Sequence, residues 1–329
     1  MKNVTVSAPG KLMLFGEHAV LYNKPCLVTT VNQRMYVKLE ILEEPEFQLD
    51  APDVGMKGYK KLIGMLGKGD ISRGARFVEA AVKTFIQSYP RLQGKSTPGV
   101  AIITESEFSS QLGFGSSAAV TVCVIKAMSE LFDLKLDNKD IFDLSYKTVL
   151  DVQAAGSGFD VAASVYGGTL YFMTGGKIIE QLAVDPLPLI VSYSGIKADT
   201  IALIKKVKAK SEKRPDFVEN IYNEIEKIVE KAKMAVISGN WKEVGQLMNK
   251  NQTYLCQLGV SSEKLDKMAD SAVEAGAYGA KLSGAGGGDC MIAVAPEDKK
   301  SGVIDAIKKS GGQIIEINAG ASGVRVDSL

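Results

Sequence analysis

Leu112-Gly113-Phe114-Gly115-Ser116-Ser117-Ala118-Ala119 separates two regular segments. Before it, Val100–Thr104 reads as a strand. After it, Val120, Cys123, Val124, Ala127 and Leu131 fall at helical spacing, which predicts a helix over Ser116–Phe132. Glycines let a backbone take positive φ and approach a ligand closely. The helix that follows presents unpaired N–H groups and the positive end of its dipole. Together they make an anion cradle, to which Ser116 and Ser117 add hydroxyls able to bond phosphate or coordinate Mg²⁺. A tight strand-to-helix turn capped by serines would show the same string. The pattern also fits the dinucleotide fingerprint G-x-G-x-x-A, which needs an acidic residue ending a strand about 20 residues on. The nearest, Glu130, lies inside the predicted helix, which argues against that reading. No Walker-type G-x-x-x-x-G-K-[ST] occurs.

Three other segments carry chemistry. In Lys281-Leu282-Ser283-Gly284-Ala285-Gly286-Gly287-Gly288-Asp289, glycine and alanine exceed what a hairpin turn requires, which suggests backbone packed on a ligand or on another loop. Ser7-Ala8-Pro9-Gly10-Lys11 places Lys11 where a strand meets a turn, and Glu17 and His18 follow as polar residues among apolar neighbours. A lone lysine or histidine is commonly structural. Gly156-Ser157-Gly158-Phe159-Asp160 sets a carboxylate in a run of small and apolar residues, either as a helix cap or as an intended buried charge. Phosphoryl transfer to an alcohol needs positioning, charge neutralisation and a carboxylate to orient or accept the hydroxyl proton. Asp160 is the best-placed carboxylate. A lysine such as Lys11 would lower its pKa and stabilise the moving group.

Composition sets bounds. The 329 residues suffice for two domains, and 46% hydrophobic with 23% charged residues suits a globular protein. A net charge of +1 points to no nucleic-acid or membrane surface, so an anionic ligand needs a local site. No apolar run approaches the roughly 18 residues of a membrane span, and the first residues lack a signal-peptide core. Cys26, Cys123, Cys256 and Cys290 are scattered without a C-x-x-C pair, as expected of reduced thiols in a cytoplasmic protein. The single histidine excludes a histidine metal cluster.

Along the chain, strands are expected at Val4–Ala8 before a Pro9-Gly10 turn, within 26–42, and at Thr169–Met173, Leu189–Tyr193, 313–318 and 323–326. Helices are expected at Arg73–Tyr89, Asn138–Val152, Gly156–Tyr166, from Asp216 as N-cap through Ile228, at 241–257, 262–275 and 298–309. A strand–loop–strand unit is expected over Gly279–Val294. This mixture is an α+β pattern. Gly175-Gly176, Pro186 and Pro188 mark a boundary between domains at 1–182 and 183–329. The amphipathic helices after 215 suit internal packing or a homodimer face equally.

The segments APGKLMLFGEHAV, LGFGSSAA and KLSGAGGGDC resemble, in order, the three motifs of the GHMP kinase superfamily, and they span nearly the whole chain. The resemblance implies an N-terminal domain like ribosomal protein S5 domain 2, a ferredoxin-like C-terminal domain and an active site between them. It implies ATP and Mg²⁺ as cofactors and a small-molecule acceptor. By position it makes Asp160 the catalytic carboxylate, paired with Lys11. It assigns ATP to Leu112, Gly113, Phe114, Gly115, Ser116, Ser117 and Ala118, with Ser117 a Mg²⁺ ligand. It assigns Glu17, His18, Gly284, Ala285 and Gly286 to the substrate. Gly16-Glu17-His18-Ala19-Val20 and the Gly320–Val324 ending resemble the mevalonate kinases. Gly156-Ser157-Gly158-Phe159-Asp160 and Gly286-Gly287-Gly288-Asp289-Cys290 resemble the phosphomevalonate kinases instead; the resemblance as a whole implies phosphorylation of mevalonate at its C5 hydroxyl, with phosphomevalonate as the alternative acceptor. In mevalonate kinases a metal-binding Glu lies eleven residues before the catalytic Asp. Here that position is Val149, and Asp151, or less directly Gln153, is the expected substitute. A catalytically dead ligand-binding relative would have lost the Asp or the phosphate loop, and both are intact.

Overall fold

The computed structural model describes residues 2–92, 98–184 and 187–328. Strand β1 (Asn3–Phe15) runs through Pro9-Gly10 instead of turning there. It pairs antiparallel with β2 (Pro25–Leu42), with register shifts at Pro9/Lys11 and Met13/Phe15. A bulge tolerates proline's missing N–H and re-aims the side chain that follows. The expected turn is therefore a kink within one strand, and it sends Lys11 into the protein, where it is buried.

Strand β2 serves two partners. Its first residues pair with β6 (Thr169–Met173), and Met35–Leu42 pair with β5 (Gly99–Ser106). Strand β3 (Glu46–Ala51) lies parallel to β5 and antiparallel to β4 (Met56–Leu62). Strand β7 (Ile178–Leu182) extends the sheet beyond β6, and β12 (Arg325–Ser328) closes the opposite edge against β1. Helices α1 (Arg76–Ser88), α2 (Ser116–Leu131), α3 (Asn138–Gln153) and α4 (Phe159–Tyr166) match the expected spans to within three residues at each end. Helix α2 is buried along most of its length against β1 and β2, which explains its run of alanine, valine and cysteine.

The second sheet holds β8 (Leu189–Tyr193), β9 (Gly279–Ser283), β10 (Cys290–Val294) and β11 (Gln313–Ile315), all antiparallel, in the order β11-β8-β10-β9. With helices between β8 and β9 and again before β11, this is the ferredoxin-like arrangement. The helices are α5 (Thr200–Lys213), α6 (Pro215–Ile237), α7 (Trp241–Leu258), α8 (Glu263–Glu274) and α9 (Lys300–Lys309). Asp216 is not the N-cap of α6: Arg214 takes that position, Pro215 opens the helix, and Asp216 sits in the first turn, where its charge suits the dipole. Helix α5 was not foreseen; of its residues only Val207 is buried, so it has no apolar stripe to read.

The chain passes from one sheet to the other between β7 and β8, with Pro186 outside the described residues. It later returns. The Asn32 N–H donates to Asn318 O (2.9 Å), Gly168 N–H donates to Ala321 O (2.8 Å), and β12 pairs with β1. Residues 183–329 are thus not one contiguous unit, because the last segment lies on the first sheet. Arg34 straps it there. Its buried guanidinium donates to Ser7 Oγ (2.8 Å), Ser7 O (2.9 Å), Ser322 O (2.9 Å) and Gly323 O (2.8 Å).

Helix α6 joins the halves from the other side. Lys24 pairs with Glu226 (2.7 Å), Lys233 with Glu180 (2.6 Å), and the Tyr171 hydroxyl donates to Glu230 (2.6 Å). Tyr22 stacks on Tyr222 with ring centroids 4.8 Å apart. This face of α6 is used inside the chain. Among the described residues no helix is long and apolar enough to cross a membrane.

Replacing Arg34 by Met removes four hydrogen bonds, two of them to the buried Ser7. A loss of about 3 kcal/mol of unfolding free energy is expected from urea titration with an unchanged slope. A loss below about 0.5 kcal/mol would show that the strap holds without it.

Candidate active site

Gly113 (φ 74°) and Gly115 (φ 80°) both lie in the left-handed region, which glycine enters freely. Gly115 is the N-cap of α2 and supplies no capping side chain, so the first-turn N–H groups of Ser116, Ser117 and Ala118 are left for a ligand. The side chains of Phe114 and Ala118 are buried, Phe114 packing on Phe108 with centroids 5.9 Å apart. Those two residues offer a ligand only backbone.

Lys11 ties this loop to β1. Its N–H donates to Phe114 O (2.9 Å) and its ammonium to Gly113 O (2.7 Å), with the Phe159 ring centroid 5.3 Å from Nζ. Burial pushes its pKa down, against the attraction of Asp160 and then of Asp289. Asp160 stands in the first turn of α4, behind Gly158 (φ 92°). A Cβ on Gly158 would lie 2.9 Å from the Tyr146 ring, whose hydroxyl donates to Gly156 O (2.8 Å). A Cβ on Gly115 would sit 3.1 Å from Lys11 Cε and 3.7 Å from Asp160 Cβ. Cradle, ammonium and carboxylate therefore converge at Gly115.

The loop between β9 and β10 braces the cradle. Cys290 Sγ donates to Leu112 O (3.2 Å), and Lys197 donates to Ser110 O (2.8 Å). Asp289, with φ 54°, accepts from Ala198 N–H (2.9 Å) and lies 3.6 Å from the Lys197 ammonium. A Cβ on Gly113 would meet Asp289 Oδ2 at 2.5 Å. This bracing comes from Lys197, Asp289 and Cys290. Gly286 (φ 86°) packs on the Val260 carbonyl, while a Cβ on Gly284 would meet open space.

His18 Nε2 lies 2.9 Å from Ala285 O. A carbonyl accepts only, which assigns the proton to Nε2 and leaves Nδ1 as the ring's acceptor. Burial holds the imidazole below its ordinary value of 6.5, against the pull of that hydrogen bond, so it is neutral at pH 7. Glu17 does not face a substrate through the oxygen it shares with Lys281. The two form an ion pair with no exposure of either side chain. Burial raises the Glu17 pKa, and Lys281 opposes that rise.

Asp151 is exposed near the end of α3, and its carboxylate makes no hydrogen bond or ion pair among the described residues. Nor do the described residues contain a cluster of three or more acidic, cysteine or histidine side chains able to hold a metal. The structure thus brings together Lys11, Gly113, Gly115, Ser116, Ser117 and Asp160, seats His18 on Ala285, and gives Asp151 no tie to them. Sequence reading missed Lys197 and Tyr146. It quoted Lys281, Asp289 and Cys290 within a motif without giving them roles. The signal for Lys281 and Asp289 was charge next to a glycine run; Lys197 and Tyr146 carried none.

A neutral buried histidine makes stability depend on pH. Below about 6.5 the unfolded chain binds a proton that the folded chain resists, so folding weakens as pH falls through that value, by up to about 1.4 kcal/mol per unit. His18→Asn, which removes the titrating group, is expected to lose less stability than wild type between pH 7.5 and 5.5 in denaturant titrations. Equal losses would show a solvated imidazole.

Comparison with known proteins agrees with this geometry. The profile described as GHMP kinases N terminal domain matches residues 76–168, and that described as GHMP kinases C terminal matches residues 230–313. A mevalonate kinase of Thermococcus sibiricus is 36% identical, and one of Thermococcus onnurineus 37%, each over 99% of both chains. The crystal structure of Methanococcus jannaschii mevalonate kinase superposes with a TM-score of 0.81 at 25% identity, over 98% of this chain and 99% of that one. With its cradle, buried lysine and carboxylate in one two-domain frame, the chain belongs to the GHMP kinase family.

Proposed function

We propose that this ATP-dependent small-molecule kinase transfers the γ-phosphoryl group of ATP to the C5 hydroxyl of mevalonate, a step of isoprenoid precursor synthesis. The observation that carries the chemistry is the meeting of Lys11 and Asp160 at Gly115, beside the uncapped start of α2. The full-length mevalonate kinase relatives support the choice of acceptor.

The N–H groups of Ser116, Ser117 and Ala118 bind the phosphate oxygens, aided by the dipole of α2. Lys11, fixed by Gly113 O, presents a positive charge beside Asp160 without being free to swing away. Asp160 orients the acceptor hydroxyl and takes its proton as the new O–P bond forms and the bond to the ADP oxygen breaks. The Ser117 hydroxyl, with Asp160 beside the cradle, suits Mg²⁺, which takes one or two protein oxygens and completes its shell with phosphate and water. When bound, Mg²⁺ would supply charge neutralisation on the phosphates. Asp151 is too weakly tied to the site to share that role. His18 Nδ1 accepts a hydrogen bond from the acceptor. The free thiols of Cys26, Cys123, Cys256 and Cys290 suit a cytoplasmic setting.

The phosphomevalonate-like Gly-Gly-Gly-Asp-Cys sequence loses weight as an acceptor signal, because the Asp289 carboxylate is occupied by Ala198 N–H and Lys197 within the scaffold. Purified protein with ATP and Mg²⁺ is expected to release ADP with mevalonate and not with 5-phosphomevalonate. Turnover on the phosphate ester alone would overturn the proposal. Asp160→Asn is expected to lower kcat by about 10³-fold or more with ATP binding kept, as read by calorimetry. Collapse of ATP affinity would make Asp160 structural.

A further inference from the structure

Lys281 has no part in the phosphate cradle, yet it and Glu17 form a wholly buried ion pair where the end of β1 meets β9. Its ammonium also donates to Leu282 O and lies 6.0 Å from the Phe15 ring centroid. Buried ion pairs give up hydration, so they stabilise poorly and serve better to fix one arrangement. Here the arrangement at stake is a strained turn. Gly16 (φ 100°) and His18 (φ 60°) both hold positive φ, and a Cβ on Gly16 would lie 2.5 Å from Cys26 Cβ. A non-glycine residue keeps such a conformation only where its surroundings over-determine it. Glu17 is held by Lys281 and His18 by Ala285 O, so both contacts land on the β9 strand and the loop that follows it. Thr174 Oγ1 donates to Val20 O on the far side of the turn.

We propose that Lys281 is a positioning residue: through Glu17 it fixes the Gly16–His18 turn, so that His18 keeps Nε2–H on Ala285 and turns Nδ1 to the acceptor. This rests on the reading of His18 given above. The order of dependence runs from the ion pair to the turn, from the turn to the tautomer, and from the tautomer to acceptor affinity. ATP contacts lie on the other side, on α2 and its loop, and do not depend on the pair.

The chain has one histidine, so its imidazole ¹⁵N signals need no assignment. The wild-type protein is expected to show the neutral Nε2–H tautomer. Lys281→Met and the charge-neutral pair Glu17→Gln/Lys281→Met are expected to show a mixture of tautomers. In both, KM for the acceptor rises by about tenfold or more while KM for ATP stays within about twofold. The double variant is expected to be no worse than the single one, because the two residues act as a unit. If Lys281→Met fails to fold, the double variant, which leaves no unpaired buried charge, decides. Unchanged imidazole signals, or kcat and both KM values moving together with the folded fraction, would overturn the proposal. A wild-type protein inactive on every acceptor would instead defeat the functional reading, and the tautomer comparison would still decide this one.

Discussion

A lysine ammonium buried without a bonded carboxylate is the constraint around which this protein is arranged. Lys11 gives up its hydration and receives in return a carbonyl at 2.7 Å, an aromatic face and two carboxylates nearby but not in contact. The carbonyl belongs to Gly113 of the phosphate loop, the aromatic ring to Phe159, and the stronger of the two attractions to Asp160 in α4. Satisfying one buried cation thus ties β1, the α2 loop and α4 to a common point. The bulge at Pro9/Lys11 is the local device that makes this possible, since a regular strand would alternate its side chains without interruption.

The second half of the chain works as a brace on that point. Cys290 at the start of β10 and Asp289 just before it press on the phosphate loop, Lys197 reaches Ser110, and Ser283 Oγ donates to Met13 O (2.8 Å). The C-terminal segment returns to the first sheet under Arg34 and closes on the end of α4, where a Cβ on Gly167 would overlap the Gly323 backbone. Catalytic geometry needs positions held to within a fraction of an ångström, and these contacts supply that stiffness from elements distant in sequence. Because the contacts come from both sheets, loosening either half loosens the site.

Much of this was legible in the sequence. Four glycine-containing segments located the cradle, Lys11, Asp160 and the loop before β10, and apolar spacing placed α1 and α2. What failed did so for physical reasons. Pro9-Gly10 was read as a turn because local propensity outweighs what a bulge allows within a long strand. Strands β3, β4 and β7 went unnoticed, β4 and β7 because they are largely exposed and carry little apolar alternation. Glu17 was read as facing the substrate, since sequence shows a charge but not the lysine, 264 residues away, that neutralises it. Asp151 was chosen by proximity in sequence, and the helix turned it to solvent.

The central claim is that the Lys11–Asp160 site activates a primary alcohol. The most direct measurement is ³¹P NMR of the product formed from mevalonate and ATP. The account predicts a phosphate monoester resonance split by two methylene protons, as at C5. A monoester resonance with no such coupling, as at the tertiary C3 oxygen, would contradict it.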